Sequence, residues 1–348
     1  MIKGMSLFAN VGIGEIFAKE AGVDIVVANE LLPERAKFYS HIHPKSEMIQ
    51  GDITQKKIFE QVIETAKKKK VKFIVATPPC QGMSMAGKMD PNDIRNTLIL
   101  KVFDAIDQIV PDYVLIENVP QMLKTHILIK QKPVKIVDFL MKKYSKDYFI
   151  NYQVVDAADY GTAQHRKRTI ILMSKRNKGE WSFPEKQKKI NVREVIGDLP
   201  SLEAGQKSNI RLHQAKMHNP NHILWMKHTP TGKTAFENEI HYPQKDGRRI
   251  KGFMTTYKRM DWDKPAPTVT MANGSVSSQN NVHPGKLNSD GTYSDARVLT
   301  ILELLRISGI PDDWNIPKDA SENLIRQVIG EMVPPKLIFS LLKKIPKS

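Results

Sequence analysis

Short apolar runs alternate with longer amphipathic segments along the first half of the chain. The runs predicted to be buried β-strands are Val23–Ala28, Val71–Ala76, Tyr113–Ile116 and Thr169–Met173. Between them, Phe59–Lys67 and Leu98–Ile109 carry apolar residues at helical spacing. This alternation predicts an α/β fold with a parallel sheet covered by helices, in which ligands bind beyond the carboxyl ends of the strands.

The pattern changes near Trp181, where the apolar periodicity fades and Pro, Gly, Asn and His become frequent. Residues 181–258 contain fourteen Lys and Arg against seven Asp and Glu, which predicts a smaller, loop-rich, basic domain. Helical spacing returns at Arg297–Ile307, Leu324–Gly330 and Lys336–Lys344.

The composition also indicates a class of binding partner and a cellular compartment. The 348 residues carry 53 Lys and Arg against 37 Asp and Glu, a formal net charge of +16. Such a surplus favours a polyanion, nucleic acid first, over a basic protein without such a partner. A single cysteine excludes an intramolecular disulfide and cysteine-based zinc clusters. Because the chain lacks a long apolar segment at its start or elsewhere, we expect a cytoplasmic protein with no membrane contact.

The single cysteine, Cys80, follows a predicted strand in the segment Ala76–Ser84, ATPPCQGMS. A lone cysteine is more often buried and inert. Here, two prolines before it and Gly82 after it are expected to leave its thiol accessible rather than packed in the core. The motif Pro-Pro-Cys-Gln-Gly-x-Ser resembles the nucleophile loop of the DNA (cytosine-5-)-methyltransferases of bacterial restriction–modification systems. The resemblance extends along nearly the whole chain and implies that the Cys80 thiolate attacks C6 of cytosine, which makes C5 nucleophilic.

Two further motifs supply the remaining catalytic candidates. Glu117 opens the triplet Glu-Asn-Val after the strand Tyr113–Ile116, and the resemblance implies that it bonds the cytosine N3 and amine. Residues 164–168 read Gln-His-Arg-Lys-Arg, and alternation along an extended chain puts Gln164, Arg166 and Arg168 on one face. By resemblance, Arg168 contacts the cytosine O2, and Arg166 braces the active-site loop, Glu117 or a phosphate.

The same resemblance implies S-adenosyl-L-methionine as the methyl donor, in a Rossmann-like sheet. Glu30 is expected at the ribose hydroxyls, Asp52 at the adenine amine, and Ile53 against the adenine ring. Ser6–Glu15 is a glycine-containing turn suited to backbone approach. The donor-binding candidates are Phe8, Asn10, Gly12, Gly14, Glu30, Asp52, Ile53, Pro78, Leu98 and Val333, and the segment around Leu98 includes Asp93, Arg95 and Asn96.

Three positions depart from the family pattern, and the first is Ser6, which stands where an aspartate usually precedes Leu-Phe. Asn10 stands where a glycine is usual, and Asn tolerates the left-handed conformation better than most residues. Glu331 stands where the family has asparagine, and a glutamate there would repel the carboxylate of the donor. The side chain of Glu331 is therefore expected to point away or to alter donor affinity.

The resemblance also implies the organisation of the chain and its partners. Residues 1–180 and 298–348 would form a discontinuous catalytic domain, and 181–297 a small target-recognition domain organised by Arg259–Met271. The expected partners are double-stranded DNA and a cognate restriction endonuclease acting on the same site, with a monomer on DNA. A transfer-RNA cytosine-5 methyltransferase and a non-catalytic DNA-binding paralogue are the alternatives.

Two other motifs are set aside. Thr231–Thr234 reads TGKT, but Lys227 occupies the position of the first glycine of a phosphate-binding loop. His213, His218 and His222 lack a zinc-like spacing and a cysteine partner, so solvated or phosphate-facing histidines are expected and no metal is assigned.

Overall fold

A seven-stranded sheet lies at the centre of the protein. The computed structural model describes residues 1–79, 98–129 and 131–346. Its strands are β1 (Ile2–Leu7), β2 (Val23–Glu30), β3 (Glu47–Gln50), β4 (Phe73–Ala76), β5 (Tyr113–Asn118), β6 (His126–Ile129), β7 (Lys132–Lys135), β8 (Tyr148–Asp156), β9 (Lys167–Lys175), β10 (Gln244–Lys245) and β11 (Arg248–Arg249). The central sheet has the order β3-β2-β1-β4-β5-β9-β8, while β6 pairs with β7 and β10 with β11.

Helices cover both faces of the sheet. They are α1 (Pro33–Ile42), α2 (Lys56–Lys68), α3 (Leu98–Ile109), α4 (Ile136–Tyr144), α5 (Val192–Ile196), α6 (Pro220–Lys227), α7 (Ile301–Ser308), α8 (Glu322–Glu331) and α9 (Pro335–Leu342). The predicted α/β fold is confirmed. No helix among the described residues is both long and apolar enough to cross a membrane.

The side chains of β4 alternate between the two faces of the sheet and join a different hydrophobic cluster on each face. Ile74 belongs to the hydrophobic cluster that includes α2 and α3 residues such as Val62 and Phe103. Phe73 and Val75 point to the other face, into a cluster that includes Leu341 of α9. A helix from the end of the chain therefore seals a sheet built from its first half.

One strand departs from the predicted parallel arrangement. The segment Thr169–Met173 lies in β9, which is antiparallel to both β5 and β8. Only ten residues, 157–166, join β8 to β9, and the regular element among them is the short 3-10 helix Ala157–Tyr160. Without a crossover helix the chain turns back, as antiparallel neighbours do.

The helix predicted at Arg297–Ile307 begins four residues later, at Ile301. Thr300 is its N-cap: the Thr300 hydroxyl accepts from the backbone N–H of Glu303, whose carboxylate accepts from the backbone N–H of Thr300. The guanidinium of Arg297, which has no solvent exposure, bonds Asp295 and Glu303 at 2.8 Å each. The prediction was wrong for residues 297–300: the Arg297 carbonyl accepts from the N–H of His283, Val298 bridges to Val282, and the helix begins only after the Thr300 cap.

Replacing Arg297 with Met is expected to lower the free energy of unfolding by about 3–5 kcal/mol, because Asp295 and Glu303 would remain buried and uncompensated. Denaturant unfolding of the full chain measures the loss. Arg193→Met is the matched control: its ion pair with Asp263 is exposed and screened by solvent, so its loss should be much smaller than that of Arg297→Met. Equal losses in both variants would contradict a stabilising role for the buried pair.

The same cluster predicts acid sensitivity. Burial opposes ionisation of Glu303, but Arg297 and His283 outweigh it and lower the pKa of Glu303 to about 2 from its ordinary 4.5. A lowered carboxyl pKa contributes stability above the ordinary value, and that contribution is lost as the pH falls from 4.5 toward 2. Part of the acid destabilisation of the wild type should therefore be absent from Arg297→Met, as unfolding at several pH values would measure.

Candidate active site

A cavity of about 870 Å³ opens at the carboxyl ends of β1, β2, β4 and β5. It lies at the edge of the sheet where the sequence predicted ligand binding. Thirteen of the fourteen candidate residues line it: Phe8, Asn10, Gly12, Gly14, Glu30, Asp52, Ile53, Pro78, Leu98, Glu117, Arg166, Arg168 and Val333. The fourteenth, Cys80, lies outside the described residues, as do Asp93, Arg95 and Asn96.

Glu117 and Arg168 form an ion pair inside this cavity. Glu117 lies near the end of β5 and Arg168 near the start of β9, and antiparallel pairing brings these ends together. Arg168 Nε lies 2.7 Å from Glu117 Oε1, with both side chains largely buried. Burial raises the pKa of Glu117, while Arg168 and then Arg166 oppose that rise. The carboxyl group therefore retains a proton more readily than an exposed glutamate does.

The Arg166 side chain is buried and holds distant segments of the chain together. Its guanidinium donates at 2.9 Å to the carbonyl of Val269 and at 2.9 Å to the carbonyl of Gly330. Burial and then the nearby charge of Arg168 lower the pKa of Arg166. The side chain joins β9 to the segment before α7 and to the last turn of α8. Of the three residues predicted to share a face, Arg166 and Arg168 line the cavity, whereas Gln164 lies outside its lining and accepts from the N–H of Val269.

Asn118 anchors the chain just before Cys80. Its side-chain amide donates to the carbonyl of Pro78 at 3.1 Å, and its side-chain oxygen accepts from the N–H of Val119 at 2.8 Å. Thr77 adds a hydroxyl bond to the carbonyl of Phe8 at 2.9 Å. The sequence named the Glu-Asn-Val triplet for its glutamate alone. Its asparagine fixes where the proline segment leaves β4, and only the contact across the sheet reveals this.

The loop after β1 is tightly wound. Phe8, Asn10 and Gly12 have φ values of 60°, 50° and 73°, all in the left-handed region. A Cβ on Gly12 would come within 2.5 Å of the His43 ring, so both space and conformation require glycine there. At Gly14, an added Cβ would meet Val333 at 3.2 Å, which brings the loop against the segment after α8. Left-handed non-glycine residues cost about 1–2 kcal/mol each and concentrate at ligand sites.

Glu30, at the end of β2, is held by two backbone amides. Its carboxylate oxygens accept from the N–H groups of Asn10 at 2.8 Å and Leu32 at 2.9 Å. The carbonyl of Glu30 accepts from the N–H of Gly51, which draws the segment before Asp52 toward the same wall. These bonds place two carboxylates, Glu30 and Asp52, along one side of the cavity.

Two of the departures from the family pattern, Asn10 and Glu331, contact each other. The Asn10 side-chain amide donates to Glu331 Oε2 at 3.0 Å, and Arg35 Nη1 lies 2.7 Å from the same oxygen. Glu331 therefore lines the cavity as a paired carboxylate. Arg35, in the first turn of α1, was not among the sequence candidates. No local motif marks it, because its partner lies 296 positions away along the chain.

The histidine expectation is wrong for His213. This side chain has no solvent exposure and is bonded to the Thr300 hydroxyl at 3.1 Å and the Pro200 carbonyl at 2.9 Å. It is a packed histidine that ties residues 200 and 213 to the start of α7. His218 is partly buried, and burial and then Lys216 lower its pKa to about 4.

One cavity beside a Rossmann-like sheet is thus lined by a glycine loop, by an acidic residue at the end of β2 and by a buried Glu–Arg pair that joins β5 to β9. Residues 2–347 match the family of C-5 cytosine-specific DNA methylases, and the chain belongs to that family. It is a DNA (cytosine-5-)-methyltransferase and acts on DNA.

The chain is similar to known proteins over nearly its whole length. The chain is 49% identical to the Type II methyltransferase M1.HgaI of Avibacterium volantium, over 99% of this chain and 98% of that protein. A solved structure of a protein encoded in an Escherichia coli prophage, assigned as a DNA modification methyltransferase, has a TM-score of 0.72 at 21% identity and covers 99% and 98% of the two chains. A DNMT2 mutant of Spodoptera frugiperda gives 0.64 at 19% identity, over 99% of each chain. Both structures support the fold.

Proposed function

We propose that this enzyme transfers a methyl group from S-adenosyl-L-methionine to C5 of a flipped-out cytosine within a short specific duplex sequence, through a covalent bond between Cys80 and C6. The observation that carries the proposal is the buried Glu117–Arg168 pair in the wall of a cavity. The glycine loop and Glu30 line the same cavity. One cavity thus offers a polar pocket for a base beside a place for a nucleoside donor.

The donor end of the cavity fits S-adenosyl-L-methionine. Glu30 can accept from ribose hydroxyls, Asp52 from the adenine amine, and Ile53 offers an apolar surface to the ring. Phe8, Gly12, Gly14, Pro78, Leu98 and Val333 complete the enclosure. When bound, this donor supplies the methyl group.

The catalytic end divides the work among four side chains. The Cys80 thiolate adds to C6, and electron density passes to C5, which takes the methyl group. Glu117 holds a proton at N3 of the ring, and Arg168 both orients Glu117 and bonds the cytosine O2. Loss of the C5 proton to a base then expels the thiolate. Arg166 maintains the geometry by holding the segments of Val269 and Gly330 against β9.

We assign target recognition to residues 181–297. This segment supplies most of a small apolar cluster, which includes Trp225, Met226 and Val282. It also packs on the catalytic part, where Met260 and Trp262 share a cluster with Leu305. Its positive charge suits phosphate contacts that set register, while side chains in the major groove read the bases. We also propose that the enzyme acts as a monomer and that a cognate restriction endonuclease acts on the same DNA site.

The β10–β11 hairpin supplies a test of the recognition surface. Arg249 donates to the carbonyls of Phe236 and Asn238 and stacks 3.7 Å from the Tyr242 ring, so its guanidinium is a structural brace. Arg248 is solvent exposed. Arg248→Gln should weaken DNA binding and reduce the slope of log affinity against log salt by about one.

Arg249→Gln is the matched comparison for that hairpin. It removes the same charge but also two carbonyl partners, so weaker binding should accompany a looser hairpin, seen as faster amide exchange in residues 236–249. Titrations at several salt concentrations measure both slopes. An Arg248→Gln slope equal to that of the wild type would remove this hairpin from the interface.

The deciding experiment follows radiolabelled methyl from S-adenosyl-L-methionine to unmethylated duplex DNA and to bulk transfer RNA. Label recovered as 5-methylcytosine in DNA, at one sequence context, supports the proposal. Label in transfer RNA alone would instead favour the RNA-directed alternative. Absence of label in both substrates, with donor binding also absent, would favour the non-catalytic paralogue.

A further inference from the structure

A large aromatic side chain of residues 181–297 is exposed to solvent. Phe253 follows β11 along the chain and is 79% exposed. Met254 is 54% exposed, and Ile240, which precedes β10, is 77% exposed. Burying large apolar side chains stabilises a folded protein, so several of them left in water around one hairpin indicate a surface that another molecule covers.

The backbone that carries Phe253 is fixed, although the ring is exposed. The Phe253 carbonyl accepts from the backbone N–H of Thr256 at 2.9 Å and from the Thr256 hydroxyl at 2.8 Å. A Cβ added to Gly252 would come within 2.4 Å of the Phe236 ring, so the backbone before Phe253 packs directly on that ring. The Phe236 ring in turn lies edge-on to Tyr257, with ring centroids 5.8 Å apart. The Phe253 side chain therefore projects from a packed segment rather than from a loose loop.

The segment around Phe253 carries a surplus of positive charge. Residues 244–258 contain five Lys and Arg and one Asp. Of these cations, Lys245, Arg248 and Lys251 are exposed. Cations bind the phosphates of nucleic acid, and an exposed aromatic ring beside them can stack on a base. The charge therefore favours DNA, on which this enzyme acts, as the molecule that covers the ring.

Phe253 is separate from the pocket assigned to the target base. Among the described residues, the lining of the cavity includes Glu117 and Arg168 but neither Phe253 nor Met254. The bases that Phe253 contacts are therefore not the cytosine inside the cavity. An apolar side chain that enters a duplex between base pairs partly unstacks them and kinks the helix.

We propose that Phe253 is a wedge that separates two stacked base pairs within the recognised sequence, outside the target position, and bends the bound duplex. Exposed cations of the β10–β11 hairpin hold the neighbouring phosphates, and Met254 adds apolar surface beside the ring. Pyrimidine–purine steps open at lower cost than other steps, so the wedge selects such a step without a hydrogen bond to a base. This inference rests on the proposed role of residues 181–297 in target recognition.

The test uses a duplex that contains the mapped methylation site and carries a fluorophore at each end. Energy transfer should show a bend of about 20–90° with the wild type, the range for apolar wedges, and a straighter duplex with Phe253→Ala. Phe253→Ala should also weaken binding about fivefold to a hundredfold, the range for one lost stacking contact. The slope of log affinity against log salt should not change, because no charge is removed. Phe253→Leu should keep part of the bend, since leucine is also an apolar wedge.

A mismatch scan of the same duplex locates the opened step. A mismatch weakens the stacking that the wedge must break, so at that step it should tighten binding of the wild type but not of Phe253→Ala. A mismatch at the target cytosine should tighten binding of both proteins, because the cavity takes up that base. If the target mismatch tightened binding of neither protein, base flipping would be contradicted, whereas the bend would still decide the role of Phe253.

Tyr152→Ala is the matched control, since it removes another exposed aromatic ring, on β8 of the central sheet. It should leave both the affinity and the bend unchanged. Thermal unfolding should show that Phe253→Ala is as stable as the wild type, because an exposed ring has little packing to lose. An unchanged bend in Phe253→Ala, or the same response of both proteins to every mismatch, would overturn the assignment of Phe253 as a wedge.

Discussion

Cys80→Ala is expected to abolish methyl transfer, with a fall in rate of at least about ten-thousandfold, while DNA binding stays close to that of the wild type. Without the thiolate nothing adds to C6, and C5 of an unactivated cytosine is a poor nucleophile. Removing a neutral or partly ionised thiol takes no positive charge from the DNA surface. Radiolabel transfer and a gel-shift titration on the same preparations measure the two quantities.

The adduct itself can be trapped, which gives the Cys80 prediction a second readout. In DNA that carries 5-fluorocytosine at the target, fluorine replaces the proton that must leave C5, so the covalent bond to C6 should persist. The wild type should form a complex that survives denaturation, and Cys80→Ala should not. Because the chain has one cysteine, no other thiol can substitute for it. Turnover by Cys80→Ala would exclude the covalent mechanism.

Glu117→Gln is expected to lower the rate of methyl transfer about a hundredfold to ten-thousandfold. A glutamine amide can donate a hydrogen bond to N3 but cannot hold a transferable proton there. Single-turnover rates with saturating DNA separate this loss from weaker binding. Glu64→Gln, an exposed glutamate on α2, is the matched control and should keep the wild-type rate.

The wild-type pH profile should carry the signature of the same group. Burial raises the pKa of Glu117, so its protonated form persists to higher pH than that of an exposed glutamate. If the protonated carboxyl is the active form, the rate falls as the pH rises through this raised pKa. That limb should be missing from Glu117→Gln, since glutamine does not titrate. An identical limb in both proteins would assign it to another group.

The sequence was sufficient to predict those cavity residues that are marked by the pattern of residues next to them. Strand ends can be read from apolar runs: Glu117 directly follows such a run, and Glu30 and Pro78 each come two residues after one. All three line one cavity because parallel strands present their carboxyl ends at one edge. The roles assigned to them remain predictions.

Contacts between distant segments could not be read in this way. Arg35 and Asn118 act through partners across the fold, and neither belongs to a periodic pattern that would mark it. Arg297 misled the helix prediction, because an arginine before an amphipathic run looks like an exposed first residue. Its burial depends on Asp295 and Glu303, whose proximity only the folded chain provides.

The two hydrogen bonds of the Arg166 guanidinium affect the order in which the chain can fold. Its two carbonyl partners, Val269 and Gly330, lie 103 and 164 positions along the chain, and the cavity wall closes only when α8 and α9 dock on a sheet begun by β1. Contacts of such long sequence separation are slow to form, because the entropy of loop closure must be overcome before they stabilise anything. A chain still being synthesised therefore cannot complete this cavity until α8 and α9 have emerged from the ribosome.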